Sequence, residues 1–204
     1  MIRVGLTGNV AAGKSVVARV WSEVGVPVLS SDELAREVVR PGGPALREIQ
    51  EAFGDEVLAP DGTLDRARMR DRVFRDPEGR KRLEAITHPR ITELRRRWLS
   101  ERRREGEPLV ATEVPLLFEA GLEGEFDVVV VVDAPAELRK RRLVEGRGMN
   151  AAEARRIMSS QGDPAEKRRR ADHVLDNRGT IPELEEKASA LLDHLRATAG
   201  ATGE

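Results

Sequence analysis

A glycine-rich segment near the N-terminus has the residue types and spacing that bind phosphate. Residues 8–15 read Gly-Asn-Val-Ala-Ala-Gly-Lys-Ser, which satisfies the G-x-x-x-x-G-K-[ST] pattern. In such a loop successive N–H groups point inward, Lys14 reaches the β- and γ-phosphates, and Ser15 can ligate Mg²⁺. An apolar run, Ile2–Leu6, precedes the pattern and helical spacing follows it. We therefore interpret it as a P-loop rather than as a glycine turn with an accidental lysine and serine.

A P-loop alone does not separate a kinase from a GTPase or a motor ATPase. The chain has no N-K-x-D element for guanine, and its D-x-x-G match at residues 76–79 follows a charged segment instead of a buried strand. A kinase also needs a carboxylate near the acceptor hydroxyl, mobile cations and a pocket that excludes water. The sequence offers candidates for these, which favours a kinase.

Asp32 is the candidate carboxylate. It follows a short apolar run, Val26–Leu29, and would lie at the same sheet edge as the P-loop if the two strands are parallel neighbours. There it could accept the proton of a hydroxyl group. Residues 30–33, Ser-Ser-Asp-Glu, also fit a helix capping box, in which Asp32 would only complement the helix dipole. From the residues alone both interpretations stay open.

Arginines that follow the apolar run ending at Asp133 are the candidate cations. They fall on a helical stretch that could act as a lid, where arginines neutralise a transferring phosphoryl group, although a solvated helix face is the usual explanation of such a run. Asp133 and Glu113 both end apolar strands, and each could hold a water on Mg²⁺ or serve as a cap or turn residue. The arginines are Arg139, Arg141, Arg142 and Arg147.

Composition excludes several classes of protein. With 35 basic and 36 acidic residues the net charge is −1, so no overall field attracts nucleic acid or anionic lipid, and few aromatic residues are present to stack bases. The chain lacks cysteine, and its three histidines lack metal-ligand spacing. Since no signal peptide or membrane-length apolar run is apparent, we expect a soluble cytoplasmic protein that binds neither nucleic acid nor membrane.

Apolar runs separated by helical patterns predict an α/β fold of P-loop NTPase type, with a parallel sheet of about five strands flanked by helices. Pro27 indicates that the second strand lies at an edge or begins there. Ligands of such sheets bind at the carboxyl ends of the strands, where the motifs above fall. The runs are Ile2–Leu6, Val26–Leu29, Leu109–Val114, Phe126–Val132 and, more weakly, His173–Leu175.

The same pattern predicts three regions and a tail. Asn150 can cap a helix with Glu153 three residues on, which restarts the lid after a break at Gly146–Gly148. The last helix would bury Leu184, Ala188, Leu191 and Leu195 on one stripe. The predicted regions are a core of residues 1–32, 107–135 and 171–196, a helical substrate-binding insertion of residues 33–106, a helical lid of residues 136–170, and a disordered tail of residues 197–204.

The order and spacing of short motifs along nearly the whole chain resemble those of the dephospho-CoA kinase family. No single motif is specific, but their combination is. The matching pieces are Gly5–Gly8 with the P-loop, Ser31-Asp32 before Leu34–Arg36, Phe53-Gly54, Asp61-Gly62 with Leu64–Arg66, His88-Pro89, Val114–Glu119, Arg142-Leu143, Gln161, Ala171-Asp172, and Asn177 with Gly179.

The resemblance implies a P-loop kinase core, a helical coenzyme-binding region and a lid, with ATP and Mg²⁺ taking part. It implies that Asp32 is the general base on the ribose 3′-hydroxyl of dephospho-CoA, that Arg142 belongs to the lid clamp, and that Asn177 lies against adenine. The implied catalytic residues are Asp32, Lys14 and Arg142. The implied ATP-binding residues are Asn9, Val10, Ala11, Ala12, Gly13, Lys14, Ser15, Val16, Arg142 and Asn177, with Ser15 on the metal. The implied acceptor-binding residues are Asp32, His88, Leu116 and Glu119.

Three features depart from the family pattern. The family usually has Asp-Ala-Asp where residues 30–32 read Ser-Ser-Asp, so the first carboxylate is missing. Asn9–Ala12 replaces the commoner Gly-Ile-Gly-Ser, which requires that the alanines keep a negative φ. On the lid, Arg139 stands where glutamine is common, and Gly146-Arg147 displaces an arginine by one position.

The sequence therefore predicts an enzyme that phosphorylates the ribose 3′-hydroxyl of dephospho-CoA with ATP, which is the final step of CoA synthesis. We expect a monomer, but the sequence leaves an oligomer open. One alternative is a P-loop kinase of another nucleoside or small-metabolite alcohol. Another, from a different class, is an ATP-binding regulatory module whose partner is a protein.

Overall fold

The computed structural model describes residues 1–201, which divide into two units. The first comprises Met1–Ser30 with the described chain from Arg102 onward, and the second comprises Ser31–Glu101. Residues 202–204 of the predicted tail lie outside the described part of the chain. The second unit thus begins at residue 31 and ends at residue 101, whereas the predicted insertion began at residue 33 and ended at residue 106.

A five-stranded parallel sheet forms the centre of the first unit, as the apolar runs predicted. The strand order is β2-β3-β1-β4-β5, and every neighbouring pair is parallel. All carboxyl ends therefore lie at one edge of the sheet. The strands are β1 (Ile2–Thr7), β2 (Val28–Ser30), β3 (Leu109–Glu113), β4 (Val128–Asp133) and β5 (His173–Asp176).

The position of each strand follows from its residues. The valines of β4 are buried at positions 129–132, as expected of a strand covered on both faces. β2 begins directly after Pro27 and lies at an edge of the sheet, as the missing N–H of proline favours. β3, whose first three residues are buried and apolar, lies between β1 and β2. β1 and β2 are therefore not neighbours, although they are parallel and both end at the same edge.

Helices flank the sheet and form the second unit. In the second unit, Ile49, Phe53, Val57 and Met69 form a separate apolar core. No helix within residues 1–201 has the length and hydropathy needed to span a bilayer. The helices are α1 (Lys14–Glu23), α2 (Ser31–Val38), α3 (Pro44–Phe53), α4 (Arg66–Arg75), α5 (Pro77–Arg104), α6 (Ala136–Arg147), α7 (Ala151–Ser159), α8 (Pro164–Arg170) and α9 (Ile181–Ala201).

The predicted lid stretch consists of α6, α7 and α8. α6 continues through Gly146 and ends at Gly148, which has a φ of 64°. Asn150 then caps α7, because its side chain accepts a hydrogen bond from the Glu153 N–H at 2.8 Å. The predicted cap is thus confirmed, and all four candidate arginines fall on α6.

α9 packs an apolar stripe onto the sheet. Leu184, Ala188, Leu192 and Leu195 are buried with Trp21 in the main core, so Leu192 takes the place that was predicted for Leu191, which is only partly buried. The helix also continues through residues 197–201, where a disordered tail was predicted. Alanine, which recurs in this stretch, has the highest helix propensity, and this explains the extension.

Candidate active site

The P-loop joins β1 to α1 and is pressed against the neighbouring strand β4. Gly8 and Gly13 have φ values of 143° and 112°, which side chains rarely tolerate. A Cβ on Gly8 would lie 2.2 Å from the carbonyl oxygen of Val132, and a Cβ on Gly13 would lie 2.3 Å from Nδ2 of Asn177. Both glycines are therefore required by backbone geometry and by close packing.

Ala11 departs from the expected loop conformation. Its φ is 58°, so the expectation that the alanines of the loop keep a negative φ is wrong at this position. The left-handed conformation costs a residue with a Cβ about 1–2 kcal/mol. It persists because the surrounding contacts fix the loop, and it lies at the position where the family pattern has glycine.

The inner side of the loop offers hydrogen-bond donors to an anion. Gly13 is the N-cap of α1. Because glycine has no side chain, it cannot accept a hydrogen bond from the first N–H groups of the helix. Two internal bonds, from Ala12 N–H to the Asn9 oxygen at 3.1 Å and from Val16 N–H to the Gly13 oxygen at 3.0 Å, hold the curvature. Such a loop is an anion cradle of the P-loop kind.

Lys14 and Ser15 occupy the positions that the motif requires. The Lys14 ammonium donates to the carbonyl oxygen of Gly8 at 2.8 Å and lies 3.4 Å from that of Asn9, so its charge is held over the first residues of the loop. Ser15 is exposed, and its hydroxyl makes no hydrogen bond with the described residues. A cation on the nucleotide would find this oxygen available.

Arg142 and Asn177 brace the loop through its carbonyl oxygens. Arg142 Nη1 donates to the oxygen of Ala11 at 3.1 Å, and its Nη2 donates to Oδ1 of Asn177 at 3.2 Å. Asn177, which is 4% exposed, donates from Nδ2 to the oxygen of Ala12 at 2.7 Å. Burial, and then the charge of Arg141, lower the pKa of Arg142. Both side chains therefore stabilise the loop before any substrate binds.

A second set of contacts holds the first residues of the loop. The Val10 N–H donates to Oε1 of Gln161 at 2.7 Å, and Asn9 Nδ2 donates to the oxygen of Gly162 at 3.3 Å. The Gly162 N–H in turn donates to Oε1 of Glu119 at 2.9 Å. The segment that contains Gln161 and Gly162 is thus hydrogen-bonded both to the P-loop and to Glu119.

Glu119 forms an ion pair with a buried lysine. Lys167 Nζ, on a side chain only 3% exposed, lies 2.7 Å from Oε1 of Glu119. Burial by itself raises the pKa of Glu119, but Lys167 and the Gly162 N–H outweigh this, and the net shift is downward. In the sequence, residues 167–170 read Lys-Arg-Arg-Arg, and nothing in this basic run sets the lysine apart. Only the side of α8 that each residue occupies distinguishes Lys167, and that side depends on tertiary packing.

The candidate carboxylates at the strand ends differ in their surroundings. Asp133 forms an ion pair with Arg168. Asp32, in the first turn of α2, is exposed and makes no hydrogen bond or ion pair within residues 31–101. It therefore does not cap its own helix. Within residues 1–201 no cluster of three or more acidic or histidine side chains could hold a metal ion.

The predicted acceptor residues fall in both units. His88 lies on α5 in the second unit and is exposed. Leu116 and Glu119 lie in the first unit, in the segment after β3, where Leu116 is 48% exposed. An apolar side chain so exposed is available for contact with a ligand.

The chain is similar to known proteins over nearly its whole length. The family model for dephospho-CoA kinase matches residues 2–183. A dephospho-CoA kinase of Corynebacterium glutamicum is 45% identical over 192 residues, which cover 94% of this chain and 96% of the relative. One of Anaeromyxobacter dehalogenans is 46% identical over 197 residues, covering 97% and 93%. A crystal structure from Thermus thermophilus superposes with a TM-score of 0.82 at 39% identity, covering 95% of this chain and 97% of that one.

Proposed function

Because the chain belongs to the dephospho-CoA kinase family, we propose that it transfers the γ-phosphoryl group of ATP to the ribose 3′-hydroxyl of dephospho-CoA. The observation that carries this proposal is the family match over residues 2–183, with a phosphate-binding P-loop at its start. In the reaction the acceptor oxygen bonds to the γ-phosphorus, the bond from that phosphorus to the β,γ-bridging oxygen breaks, and ADP and a proton leave.

The P-loop would hold the phosphates of ATP. Backbone amides of the loop would donate to phosphate oxygens, and Lys14, whose ammonium lies over the first residues of the loop, would carry its charge to the β- and γ-phosphates. Mg²⁺, if it binds with the nucleotide, would be held by the Ser15 hydroxyl and phosphate oxygens, and it would offset their negative charge. The exposed and unbonded hydroxyl of Ser15 supports this assignment.

Asp32 would accept the proton of the 3′-hydroxyl. Three features of the residue support this. Its carboxylate has no partner within its own unit, it is exposed, and it follows β2, which ends at the same sheet edge as β1 and the P-loop. Its position in the first turn of α2 also suits the helix dipole, which requires no bond to a backbone N–H group. The unbonded carboxylate is therefore available to a hydroxyl proton, and the effect of Asp32→Asn on the rate distinguishes a general base from a residue that only complements the dipole.

The other site residues have supporting functions in this proposal. Arg142 and Asn177 would position the P-loop through the oxygens of Ala11 and Ala12, in addition to the lid and adenine contacts that the family resemblance implies for them. His88, Leu116 and Glu119 would line or brace the acceptor site. For Glu119 the bracing function is supported by its bonds to Gly162 and Lys167.

The experiment is to incubate the purified protein with ATP, Mg²⁺ and dephospho-CoA and to quantify CoA and ADP. We expect one CoA for each ADP, and Lys14→Ala should abolish both products. Nucleosides and small-metabolite alcohols offered in competition should not slow the formation of CoA. ADP release without CoA, or preferential phosphorylation of another alcohol, would overturn the proposal.

A further inference from the structure

A cavity of about 470 Å³ lies beside the P-loop within the first unit. Its lining includes Asn9 of the loop, Arg139 and Lys140 of α6, Arg155 of α7, and Gln161. The size is within the range of small-ligand sites, which is about 300–1,000 Å³. The cavity is therefore large enough for the end of a triphosphate.

Arg139 is an unusual residue of this wall, because its charge is buried without an ion pair. Its side chain is 4% exposed, and its Nε donates to the oxygen of Ala134 at 3.0 Å. It makes no other hydrogen bond with the described residues, and its Nη1 is buried without a partner. Asp133, a neighbouring carboxylate, forms its ion pair with Arg168 instead.

Such an arrangement is unfavourable in the protein without ligand. Burial lowers the pKa of Arg139, and the charge of Asp133 offsets this only in part. Uncompensated buried charges and unbonded buried donors are rare in folded proteins and usually indicate a ligand or a functional role. A second buried atom on the same cavity, Oδ1 of Asn9, also lacks a partner and could accept a bond from a water molecule that accompanies a polar ligand.

The position of Lys14 indicates which part of a nucleotide would reach the cavity. Its ammonium lies 3.4 Å from the oxygen of Asn9, which lines the cavity, and the lysine of a P-loop contacts the β- and γ-phosphates. The cavity therefore adjoins the terminal end of the triphosphate. Lys140 and Arg155 add positive charge. Of the two carboxylates in the lining, that of Glu137 lies 3.9 Å from the Lys140 ammonium, and that of Asp163 accepts the Ala165 N–H as a helix cap.

We propose that Arg139 is a further ATP-binding residue, whose guanidinium donates hydrogen bonds to the terminal phosphate. The proposal rests on the nucleotide site described above and adds a residue that stands where the family pattern commonly has glutamine. A guanidinium suits this task because it presents several donors in a fixed plane to a phosphate. Glutamine at the same position would supply hydrogen bonds without the charge.

The test compares the affinities of ATP and ADP by calorimetry in the absence of any acceptor. Arg139→Gln should weaken ATP binding about 10- to 100-fold, which corresponds to the loss of one charge-assisted bond, and should change ADP binding by less than about threefold. Arg139→Lys keeps the charge but has fewer hydrogen-bond donors, so its ATP affinity should lie between that of the wild type and that of Arg139→Gln. The unfolding midpoint of ligand-free Arg139→Gln should equal or exceed that of the wild type, because an uncompensated buried charge is removed.

Arg95→Gln is the matched control, since Arg95 is also buried, at 8% exposure, and belongs to the second unit. It should lower the unfolding midpoint and leave the ratio of ATP to ADP affinity unchanged. Equal losses for ATP and ADP in Arg139→Gln, or no loss for either, would overturn the proposal, as would a strongly lowered midpoint with a wild-type affinity ratio. Because no acceptor is present, the result stands apart from the formation of CoA, and failure of that assay would overturn the proposed function alone.

Discussion

The surroundings of the P-loop and the start of the helical unit differ in how their polar side chains are bonded. Around the loop, Arg142 and Asn177 bond to its carbonyl oxygens, and Glu119 is bonded to Gly162 and Lys167. At the start of the helical unit, Asp32 is exposed and has no partner within residues 31–101.

This difference separates groups that fix geometry from groups that meet substrate. A side chain whose donors or acceptors are already bonded can hold a loop in the conformation that binds phosphate, so that little reorganisation is needed during reaction. A carboxylate without partners keeps its oxygens available for a hydroxyl proton. Substitution of the bonded side chains around the loop should change both the stability of the protein and its binding of ATP. Substitution of Asp32 should change the rate of phosphoryl transfer alone.

The largest expected effect is that of Asp32→Asn on turnover. We expect a decrease of about 10²- to 10⁴-fold in kcat, because the proton acceptor is removed, with ATP affinity and the unfolding midpoint close to those of the wild type. Steady-state kinetics, calorimetry and thermal denaturation measure the three quantities. Glu37→Gln, at another exposed carboxylate of α2, is the control and should keep the wild-type rate. A normal rate in Asp32→Asn, or a lowered midpoint, would return Asp32 to the capping interpretation.

Asn177→Ala should destabilise the protein and weaken ATP binding together. The substitution leaves the Ala12 oxygen without its 2.7 Å bond and opens space against Gly13, so we expect a loss of about 2–4 kcal/mol in the free energy of unfolding. Asn150→Ala, which removes an exposed helix cap, should cost only about 1 kcal/mol and leave ATP affinity unchanged. Denaturant unfolding measures the stability of each variant, and calorimetry measures its ATP affinity. Equal effects of Asn177→Ala and Asn150→Ala would contradict the bracing function of Asn177.

Glu119→Gln should lower stability in a pH-dependent manner. The pKa of Glu119 is lowered in the folded state, so its contribution is present above the ordinary carboxyl pKa and is lost as the pH falls through the lowered value. We expect a loss of about 2–3 kcal/mol at pH 7, since buried Lys167 is left unpaired, and a difference from the wild type that shrinks as the pH falls below the ordinary carboxyl pKa.

The control for this prediction is Glu166→Gln, which breaks an exposed ion pair with Arg170 on one helix. It should change the free energy of unfolding by less than about 1 kcal/mol at any of these pH values. Urea titrations across the pH series give both curves. A difference between Glu119→Gln and the wild type that does not change with pH would show that the ion pair with Lys167 does not stabilise the fold.

The smallest expected effect is a gain of stability in Ala11→Gly. Glycine relieves the positive φ of 58° but loses more chain entropy, so the net gain should be about 0.5–1 kcal/mol. Ala12→Gly is the matched substitution at a buried neighbour without a positive φ, and it should destabilise. In thermal denaturation, the unfolding midpoints of the two variants should therefore shift from that of the wild type in opposite directions. A shift in the same direction would contradict the strain assigned to Ala11.

Local patterns made most of the fold predictable, and distant contacts account for what was missed. The valine run of β4, the P-loop between a strand and a helix, and the cap at Asn150 each depend on residues close together in sequence. The order of β2 and β3, by contrast, is set by packing of the whole sheet.

The bracing of the site could not be predicted in the same way. Arg142 contacts an oxygen 131 residues away, and Asn177 one 165 residues away. The positive φ of Ala11 is imposed by such contacts, and the burial of Lys167 depends on the side of α8 that faces Glu119. The family resemblance identified several of these residues, but only the structure shows which atoms they contact.

The most direct test of the division between bracing and reacting groups is a crystal structure with dephospho-CoA and a non-hydrolysable ATP analogue. The account predicts a carboxylate oxygen of Asp32 within about 2.6–3.2 Å of the ribose 3′-hydroxyl, with the bonds of Asn177 and Arg142 to the loop unchanged. An Asp32 bonded to the backbone of α2, with another group at the hydroxyl, would contradict it.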